Sequence, residues 1–393
     1  MATRSIAIVG GSLGGLTAAC VLRDAGHDVH VYERSSRELE ERGAGIGFLE
    51  ATYRYLAERG GVDLDTISVR TGHIRYLHRD GTVVHDQAHE YLFSSWNTVY
   101  RRLLECFDAE RYHLGHELVG FEAGRDAVVG QFANGAETTA DLLVAADGIG
   151  SIVRSTLQSD AEPRYAGYVA WRGMVPESEL APELVEQLAD AITYHVAANT
   201  HILVYPIPNA AGSVRPGDRL LNFVWYRNYL DGGDLDDLLT DRSGTRRDLS
   251  VPPGLMSDHH VAEMKAFAQA RLPRQLAALV EATAEPFVQV IYDIEVDGMA
   301  FGRVALLGDA AFAVRPHAAA GTAKAAEDAW QLAAALSEHD NLDHALQEWE
   351  KAQLTLGRDL LARTRSIGSR SQVTNDWEPG DPDLLFGLHR AGE

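Results

Sequence analysis

Residues 5–15 read Ser-Ile-Ala-Ile-Val-Gly-Gly-Ser-Leu-Gly-Gly, and this stretch decides the fold. Its apolar part, Ser5–Val9, is typical of a buried parallel strand. The glycines allow a tight turn and a close backbone approach to a pyrophosphate. The helix predicted over 14–25 directs its N-terminus at the phosphates. The stretch therefore predicts the first strand–helix unit of a dinucleotide-binding domain.

The residues that follow add a ribose contact. A second strand, predicted over 28–32, ends at Glu33, about 20 residues beyond the glycines, where a carboxylate accepts hydrogen bonds from a ribose hydroxyl. Ser12 replaces the usual middle glycine and fits if its hydroxyl bonds a phosphate. The alternative is a glycine-rich turn that binds no nucleotide. The predicted cofactor contacts in this unit are Gly10, Ser12, Leu13, Gly15, Glu33 and Arg34.

Two short motifs lie much further along the chain. Asp147-Gly148 follows the strand-like residues 142–145, and Gly308-Asp309 follows 304–307. Each motif alone is weak. In this order and with these gaps, the three motifs predict a chain that folds three separated segments around one FAD.

The remaining pattern predicts the fold class. Turns at Arg79-Asp80-Gly81 and Asn134-Gly135 indicate hairpins, and long strands are predicted over 166–175, 201–206, 220–226 and 287–296. We predict an α/β fold with a Rossmann-like FAD-binding domain, an inserted antiparallel β-sheet substrate domain and C-terminal helices. The FAD-binding domain is predicted to comprise residues 1–72, 96–164 and 297–393, and the substrate-binding domain 73–95 and 165–296.

Composition narrows the class of protein. The 393 residues suffice for two domains, and a formal charge of −22 argues against nucleic acid or an anionic membrane as a partner. The first strand begins at Ser5, which leaves no room for a signal peptide, and no apolar run reaches membrane-spanning length. We therefore expect a cytoplasmic protein. No histidine or cysteine spacing matches a metal site, and the pair His259-His260 fits no pattern, so no metal is predicted.

These motifs resemble those of the class A flavoprotein aromatic hydroxylases, of the para-hydroxybenzoate hydroxylase type, over nearly the whole chain. A closer likeness is to members of this family that hydroxylate a dihydroxypyridine. Ser12 and the stretch Pro-His-Ala-Ala-Ala-Gly at 316–321 are its most specific features. The other segments that carry it are 10–12, 165–169, 171–173, 205–208, 221–223 with 225–226, 315–321, and the tail segments 378–380 and 386–388.

The resemblance implies further FAD contacts. The loop after the second strand, from Arg42 to Ile46, would lie near the flavin, and Arg101 would contact FAD. Asp147-Gly148 with Ser151 and Arg154 would serve both FAD and the nicotinamide. The family usually has Gly-Gln-Gly where this chain has Ala319, Ala320 and Gly321, which leaves backbone contacts to the flavin ring. The contacts implied in this way are Arg42, Gly45, Ile46, Arg101, Asp147, Gly148, Gly308, Asp309, Pro316, Ala319, Ala320, Gly321 and Thr322.

The resemblance also implies an activity. It is an FAD-dependent aromatic ring monooxygenase that consumes NADH or NADPH and transfers one atom of O₂ through a flavin C4a-hydroperoxide. The leading expected substrate is 2,6-dihydroxypyridine, giving 2,3,6-trihydroxypyridine. The alternatives are the same chemistry on a larger pyridinol or phenol of a natural-product pathway, or a flavin oxidoreductase that does not hydroxylate. A homodimer is the default expectation.

Five residues are candidates for the chemistry at the substrate. His317 is the first candidate for a base or a substrate hydrogen bond, because it precedes the helix that would face the flavin. His201 is the second, and Tyr205 lies on the same strand. Trp225 and Tyr226 are expected to line an aromatic slot. For each residue the alternative is a purely structural role.

Three other classes share some of these motifs. A flavin oxidase or reductase would lack the Asp-Gly fingerprint between hairpins. A flavin halogenase would carry a W-x-W-x-I-P segment, which 171–176 does not match. A binding protein without activity is disfavoured by the intact Asp147-Gly148 and Gly308-Asp309 motifs.

Overall fold

The computed structural model describes residues 3–39 and 44–389. The first sheet is parallel at its centre, where Ile6 lies opposite both Leu142 and Val29. Its central strands, at 5–9, 142–145 and 304–306, are almost wholly buried apolar runs, as expected of a sheet covered on both faces. In spatial order, its strands within the described ranges are β17 (Ala300–Phe301), β18 (Val304–Leu306), β10 (Leu142–Ala145), β1 (Ser5–Val9), β2 (Asp28–Glu33) and β6 (Tyr112–Leu114).

The second sheet is larger and is mostly antiparallel. Six strands from residues 164–293 lie side by side, and three strands from the described part of the first hundred residues complete the other end of the sheet. In the described parts of the chain its strands are β15 (Ser250–Val251), β16 (Phe287–Asp293), β11 (Arg164–Pro176), β14 (Leu220–Asn228), β13 (Thr200–Ile207), β12 (Ala191–Ala197), β4 (Val69–Leu77), β5 (Val83–Ser95) and β3 (Gly45–Gly47).

The second sheet departs from the sequence-based prediction at two places. Strands β12 and β4 pair in parallel, with Ala191 opposite His73, so the substrate layer is not wholly antiparallel. Strand β3, which was not predicted, pairs with the end of β5 and so joins the second sheet. Neither pairing has a local turn signal, because the paired segments lie far apart in sequence.

A small third sheet packs beside the first. It is formed by β7 (Leu118–Ala123), β8 (Val128–Phe132) and β9 (Glu137–Ala140), which confirms the hairpin expected at Asn134-Gly135. Strand β9 is followed directly by β10, so the third sheet is joined to the strand of the first sheet that precedes Asp147-Gly148.

Helices cover the sheets. In the described residues the α-helices are α1 (Leu13–Asp24), α2 (Glu50–Glu58), α3 (Trp96–Glu105), α4 (Ile152–Leu157), α5 (Pro182–Leu188), α6 (Gly233–Leu238), α7 (Asp258–Arg271), α8 (Arg274–Ala282), α9 (Gly321–Glu338) and α10 (Leu342–Gln372). Helices α1 and α9 pack against each other on the first sheet, and α10 packs on α9. None of the helices in these ranges has the length and hydropathy that a membrane crossing requires.

The two faces of the second sheet carry different cores. One face packs against α6, α7 and α8 through side chains such as Trp225, Leu238 and Met264. The other face is rich in aromatic side chains, including Tyr205 and Tyr226, and is turned toward the first sheet. Because adjacent strand residues point to opposite faces, neighbours such as Trp225 and Tyr226 enter different cores.

Candidate active site

Two adjoining cavities lie between the first sheet and the aromatic face of the second. The larger, of about 500 Å³, lies over the ends of β1 and β2, and the other, of about 370 Å³, reaches the second sheet. Both are lined by Ser12, Trp96, Ala146 and Gly148. Ligands of open α/β sheets bind at the carboxyl ends of the strands, where these cavities lie.

The glycine loop can form only without side chains. Gly10 has φ +100°, and a Cβ there would lie 2.3 Å from the Ala146 carbonyl oxygen. A Cβ on Gly15 would lie 1.9 Å from the Gly10 carbonyl oxygen. Gly15 therefore shapes the turn without lining either cavity. Ser12 precedes α1 and its side chain makes no capping hydrogen bond, so the N-terminus of α1 opens into the cavities.

Glu33 braces this loop and also lines the larger cavity. Its two carboxylate oxygens accept hydrogen bonds from the Gly11 and Ser35 amides, each at 2.9 Å. Arg34 lines the same cavity. Glu33, the predicted ribose contact, therefore lies beside the glycine loop, as its distance from the glycines in sequence predicts.

The Asp-Gly fingerprint joins two of the predicted FAD segments. Ser151 caps α4 by accepting the Arg154 amide at 3.0 Å. The buried Arg154 guanidinium donates to the Ile149 carbonyl oxygen at 2.5 Å and to that of Ala310 at 3.2 Å. It therefore ties the loop after β10 to the loop after β18. Asp147 lines the larger cavity, its Oδ1 makes no hydrogen bond, and burial raises its pKa.

A buried ion pair supports the second aspartate loop. Lys324 and Asp328, one turn apart on α9, pair at 2.7 Å with almost no exposure, and Asp328 accepts the Gly308 amide at 2.9 Å. Gly308 has φ +62°. Asp309 is open to the smaller cavity but is surrounded by protein, and this burial raises its pKa to about 6.

The start of α9 faces the smaller cavity. A short 3₁₀ turn at Pro316–Ala318 is followed by Ala319 with φ 52°, and Gly321 and Thr322 line the cavity. Gly47 of β3 approaches so closely that a Cβ there would lie 2.6 Å from the Ala319 Cβ. The N-terminus of α9 thus presents amides and the positive end of its dipole to the cavity.

Polar groups gather on the far wall of the smaller cavity. The Arg172 guanidinium donates to Gln289 Oε1 at 2.9 Å and to the Gly45 carbonyl oxygen at 2.6 Å, while its buried Nε makes no hydrogen bond. Asn222 accepts the Gly45 amide at 3.0 Å, and its Nδ2 is buried without a hydrogen bond. Among the described lining residues, Arg172 is the only cation.

Aromatic and aliphatic groups complete this wall. Tyr205 and Tyr226 line the cavity with Leu203 and Phe386, and Tyr205 stacks on Phe93 at a centroid distance of 4.2 Å. Burial raises the pKa values of both tyrosines, although the Arg172 charge acts in the opposite direction. Both phenols therefore stay protonated near neutral pH and present hydroxyl donors.

The two candidate histidines do not line the cavities. His317 accepts from or donates to the Tyr168 hydroxyl at 2.7 Å, and its ring lies 4.5 Å from that of Tyr226 and 5.2 Å from that of His201. Both imidazoles lie behind the cavity wall. Burial lowers the pKa of His201 to about 3 and that of His317 well below its usual range. Neither ring therefore lines the space that a ligand in these cavities would occupy.

Other predicted residues fall outside the cavities. Trp225 is buried on the helix-covered face, where its indole donates to Thr200 Oγ1 at 2.9 Å, so it cannot share a slot with Tyr226. Arg101 donates to the Ala210 carbonyl oxygen at 3.0 Å and lines neither cavity. Ala320 is buried before α9. Arg42 lies outside the described residues. Apart from these residues and Gly15, the predicted cofactor contacts, including Leu13, Gly45 and Ile46, line one cavity or both.

Arg172 and Gln289 line the smaller cavity but were not among the predicted site residues. Alternation along β11 puts Ala170 and Arg172 on the same face and Trp171 on the other. A charged residue within a long apolar strand was the available signal, but the sequence alone does not say which face meets the cavity.

The residues present fit FAD. The glycine turn leaves room for a pyrophosphate at the α1 N-terminus, Glu33 lies beside it, and Asp147 keeps an unpaired carboxylate oxygen that suits a hydroxyl donor. Two family models match the chain: an NAD(P)-binding Rossmann-like domain at 8–37 and an FAD binding domain-like family at 165–293. Fold and site together define an FAD-dependent aromatic ring monooxygenase that uses NAD(P)H and O₂.

The chain belongs to the class A flavoprotein aromatic hydroxylases. It is 40% identical over 392 residues to 2,6-dihydroxypyridine 3-monooxygenase of Paenarthrobacter nicotinovorans, covering 100% of this chain and 97% of that enzyme. The solved 2,6-dihydroxypyridine-3-hydroxylase of Arthrobacter nicotinovorans superposes with a TM-score of 0.94, at 39% identity over 100% of this chain and 98% of that one. An FAD-dependent urate hydroxylase of Klebsiella pneumoniae is 28% identical and covers 94% of this chain and 92% of that enzyme.

Proposed function

We propose that the protein hydroxylates 2,6-dihydroxypyridine to 2,3,6-trihydroxypyridine, using FAD, NADH or NADPH, and O₂. The observation that carries this assignment is Arg172, a cation with an unpaired buried N–H, placed among aromatic and aliphatic side chains in the smaller cavity. A flat ring with acidic hydroxyl groups suits such a site. The full-length similarity to an enzyme named for this reaction supports the choice of substrate.

Arg172 would bind the ionised substrate. A cation beside a ring hydroxyl favours the deprotonated oxygen, and a charge-assisted hydrogen bond holds it. The negative charge increases the electron density of the ring, which the reaction requires. Gln289 Oε1 and the Gly45 carbonyl fix the guanidinium in place. The ring would lose its proton to solvent and bind to Arg172 as the anion, so the cavity itself would need no base.

The tyrosines and apolar side chains would orient the ring and exclude water. Tyr205 and Tyr226 donate hydrogen bonds because their phenols remain protonated. Leu203 and Phe386 close the apolar sides. Bound FAD supplies the hydride acceptance and oxygen activation, while Asp309, Asp147 and the amides at the start of α9 would hold it.

His317 is assigned a positioning role. It bonds Tyr168 and supports the ring of Tyr226 from behind the cavity wall. His317→Gln should retain FAD and keep the pH dependence of kcat, with a modest rise in KM. Disappearance of one limb of the pH profile would restore His317 as the proton acceptor.

The direct test measures NADH and NADPH oxidation by FAD-loaded protein with and without 2,6-dihydroxypyridine, with the product identified by mass. We expect stimulated oxidation and the gain of one oxygen atom, and weaker stimulation by urate or salicylate. Stimulation that yields only hydrogen peroxide would indicate a different pyridinol or phenol. No stimulation by any of these rings would reject the substrate assignment and leave the family unchanged.

We further propose the domain division 1–72, 96–164 and 297–393 against 73–95 and 165–296, a cytoplasmic location and a homodimer. Two cysteines without a disulfide, Cys20 and Cys106, support a reducing compartment. Symmetric dimers are the commonest assembly among soluble homo-oligomers. Light scattering after size-exclusion chromatography tests the dimer, and a mass of 42.9 kDa would reject it.

A further inference from the structure

Two histidines and an aspartate meet on the helix-covered side of the second sheet. Asp237 lies at the end of α6, and His259 and His260 lie in the first turn of α7. One ligand atom from each residue lies within 4.8 Å of the others. Both helices pack through Leu238 and Met264 on the face opposite the cavities. The cluster is therefore separate from the active site.

The distances suit a tetrahedral metal ion. Asp237 Oδ2 lies 3.3 Å from His260 Nε2 and 3.7 Å from His259 Nε2. In a tetrahedral site with bonds of about 2.0–2.1 Å, neighbouring ligand atoms are about 3.3 Å apart. The three atoms thus need little movement to coordinate one ion, and a fourth position stays open to water.

His260 provides an independent observation. It is only 6% exposed, and neither of its ring nitrogens makes a hydrogen bond among the described residues. Its contacts with the Asp237 and Glu263 carboxylates do not reach hydrogen-bond geometry, so they compensate only part of the desolvation cost of the buried imidazole. Coordination through Nε2 would remove that cost. Glu263 Oε2, 4.0 Å from Nδ1, is close enough to accept the remaining ring N–H after a small shift, as carboxylates do for metal-bound histidines.

We propose that Asp237, His259 and His260 form a site for one divalent transition metal ion, with Zn²⁺ as the preferred occupant. Two imidazoles and one carboxylate are typical zinc ligands, and the donors are too few and too rich in nitrogen for Ca²⁺ or Mg²⁺. The ion cross-links α6 to α7 and stabilises this layer. No metal was predicted here because the ligands come from two helices separated by a long loop.

Calorimetric titration of tag-free, EDTA-treated, FAD-loaded protein with ZnCl₂ tests the proposal. We expect one Zn²⁺ per chain, a raised thermal midpoint, and at least tenfold weaker binding in Asp237→Asn and His259→Gln. Both residues are exposed, so these variants should fold, which their midpoints without zinc will show. His344→Gln, which disrupts the stacked pair His339–His344, is the matched control and should bind as the parent does.

Several outcomes would overturn the site. These are the absence of saturable binding, equal binding by Asp237→Asn, or a loss of binding in the control. A stoichiometry above one that all variants share would mean adventitious surface binding only. Substrate-stimulated NAD(P)H oxidation in the presence of EDTA should be unchanged, which separates a failure of this proposal from a failure of the proposed reaction.

Discussion

At the scale of single residues, one guanidinium accounts for the polarity of the substrate cavity. Arg172 is fixed by two acceptors and retains one buried N–H without a partner. A neutral side chain of similar length would keep the shape of the wall but not its charge. The electrostatic preference for an ionised ring should therefore depend on this residue alone among the described lining groups.

Replacing Arg172 by Met should raise KM for 2,6-dihydroxypyridine by about 10–100-fold, because a hydrogen bond to a charged group contributes roughly 1.5–3 kcal/mol. FAD affinity should change little. Steady-state kinetics and FAD titration measure the two effects. Arg164→Met, an exposed arginine on the same strand, is the control. An unchanged KM would show that the anion is bound elsewhere.

The buried histidines make stability depend on pH. The folded pKa of His201 is lowered to about 3, whereas an unfolded histidine titrates near 6.5. The unfolded state then binds more protons between these values, so this contribution is complete above pH 6.5 and is lost as the pH falls toward 3. The raised pKa of Asp309 acts in the opposite direction between about 4 and 6.

Comparing the parent with a His201 variant separates the contribution of this histidine from that of Asp309. Between pH 6.5 and 5, the free energy of unfolding should fall more steeply in the parent than in His201→Gln, by about 1 kcal/mol per pH unit, because the unfolded imidazole is already half protonated at pH 6.5. Urea denaturation at several pH values provides the measurement, with the exposed His344→Gln as control. Parallel curves for parent and His201→Gln would contradict a neutral buried imidazole.

At the scale of elements, helix α9 combines a buried ion pair with a cofactor loop. The Lys324–Asp328 pair has almost no exposure, and Asp328 also holds the Gly308 amide. Lys324→Met should destabilise the apoprotein by roughly 3–5 kcal/mol, since it leaves a buried carboxylate unpaired. The double variant Lys324→Met/Asp328→Leu should recover most of that loss.

Recovery of stability should not restore cofactor binding. The double variant lacks an acceptor for the Gly308 amide, so the turn that presents Asp309 is less ordered and FAD should bind more weakly. Urea unfolding of the apoprotein and quenching of FAD fluorescence measure the two quantities separately. Equal FAD affinity in parent and double variant would show that the pair serves stability only.

Sequence patterns identified the long elements and the glycine motifs, because both depend on local spacing. Strands β1, β2, β10 and β18 of the first sheet were predicted close to their observed bounds, whereas its edge strands β6 and β17 were not predicted. Other features depend on segments far away in sequence. Examples are the face of the sheet on which Trp225 lies and the hydrogen bond between His317 and Tyr168. The three-residue strand β3 was missed because Gly45-Ile46-Gly47 has no periodicity of its own.

At the scale of the whole molecule, FAD binding should couple all three motif segments. Free FAD at 100 times its Kd stabilises a protein by about 2.7 kcal/mol, so the thermal midpoint should rise with FAD concentration. Thermal unfolding followed by circular dichroism across an FAD series measures the shift. Asp309→Ala should show a smaller rise at equal FAD, whereas equal rises would remove Asp309 from the binding site.

The pairing of β10 with β1 and β18 also has a consequence for biosynthesis. Strand β1 finds its partner β10 only after about a third of the chain has been made, and β10 must then wait for β18. At about 5–20 residues per second, the roughly 160 residues between β10 and β18 take on the order of 10–30 s to translate. During that interval the nascent chain exposes an unfinished sheet edge to the ribosome surface and to chaperones. Cofactor loading is therefore expected to follow release of the chain rather than accompany its synthesis.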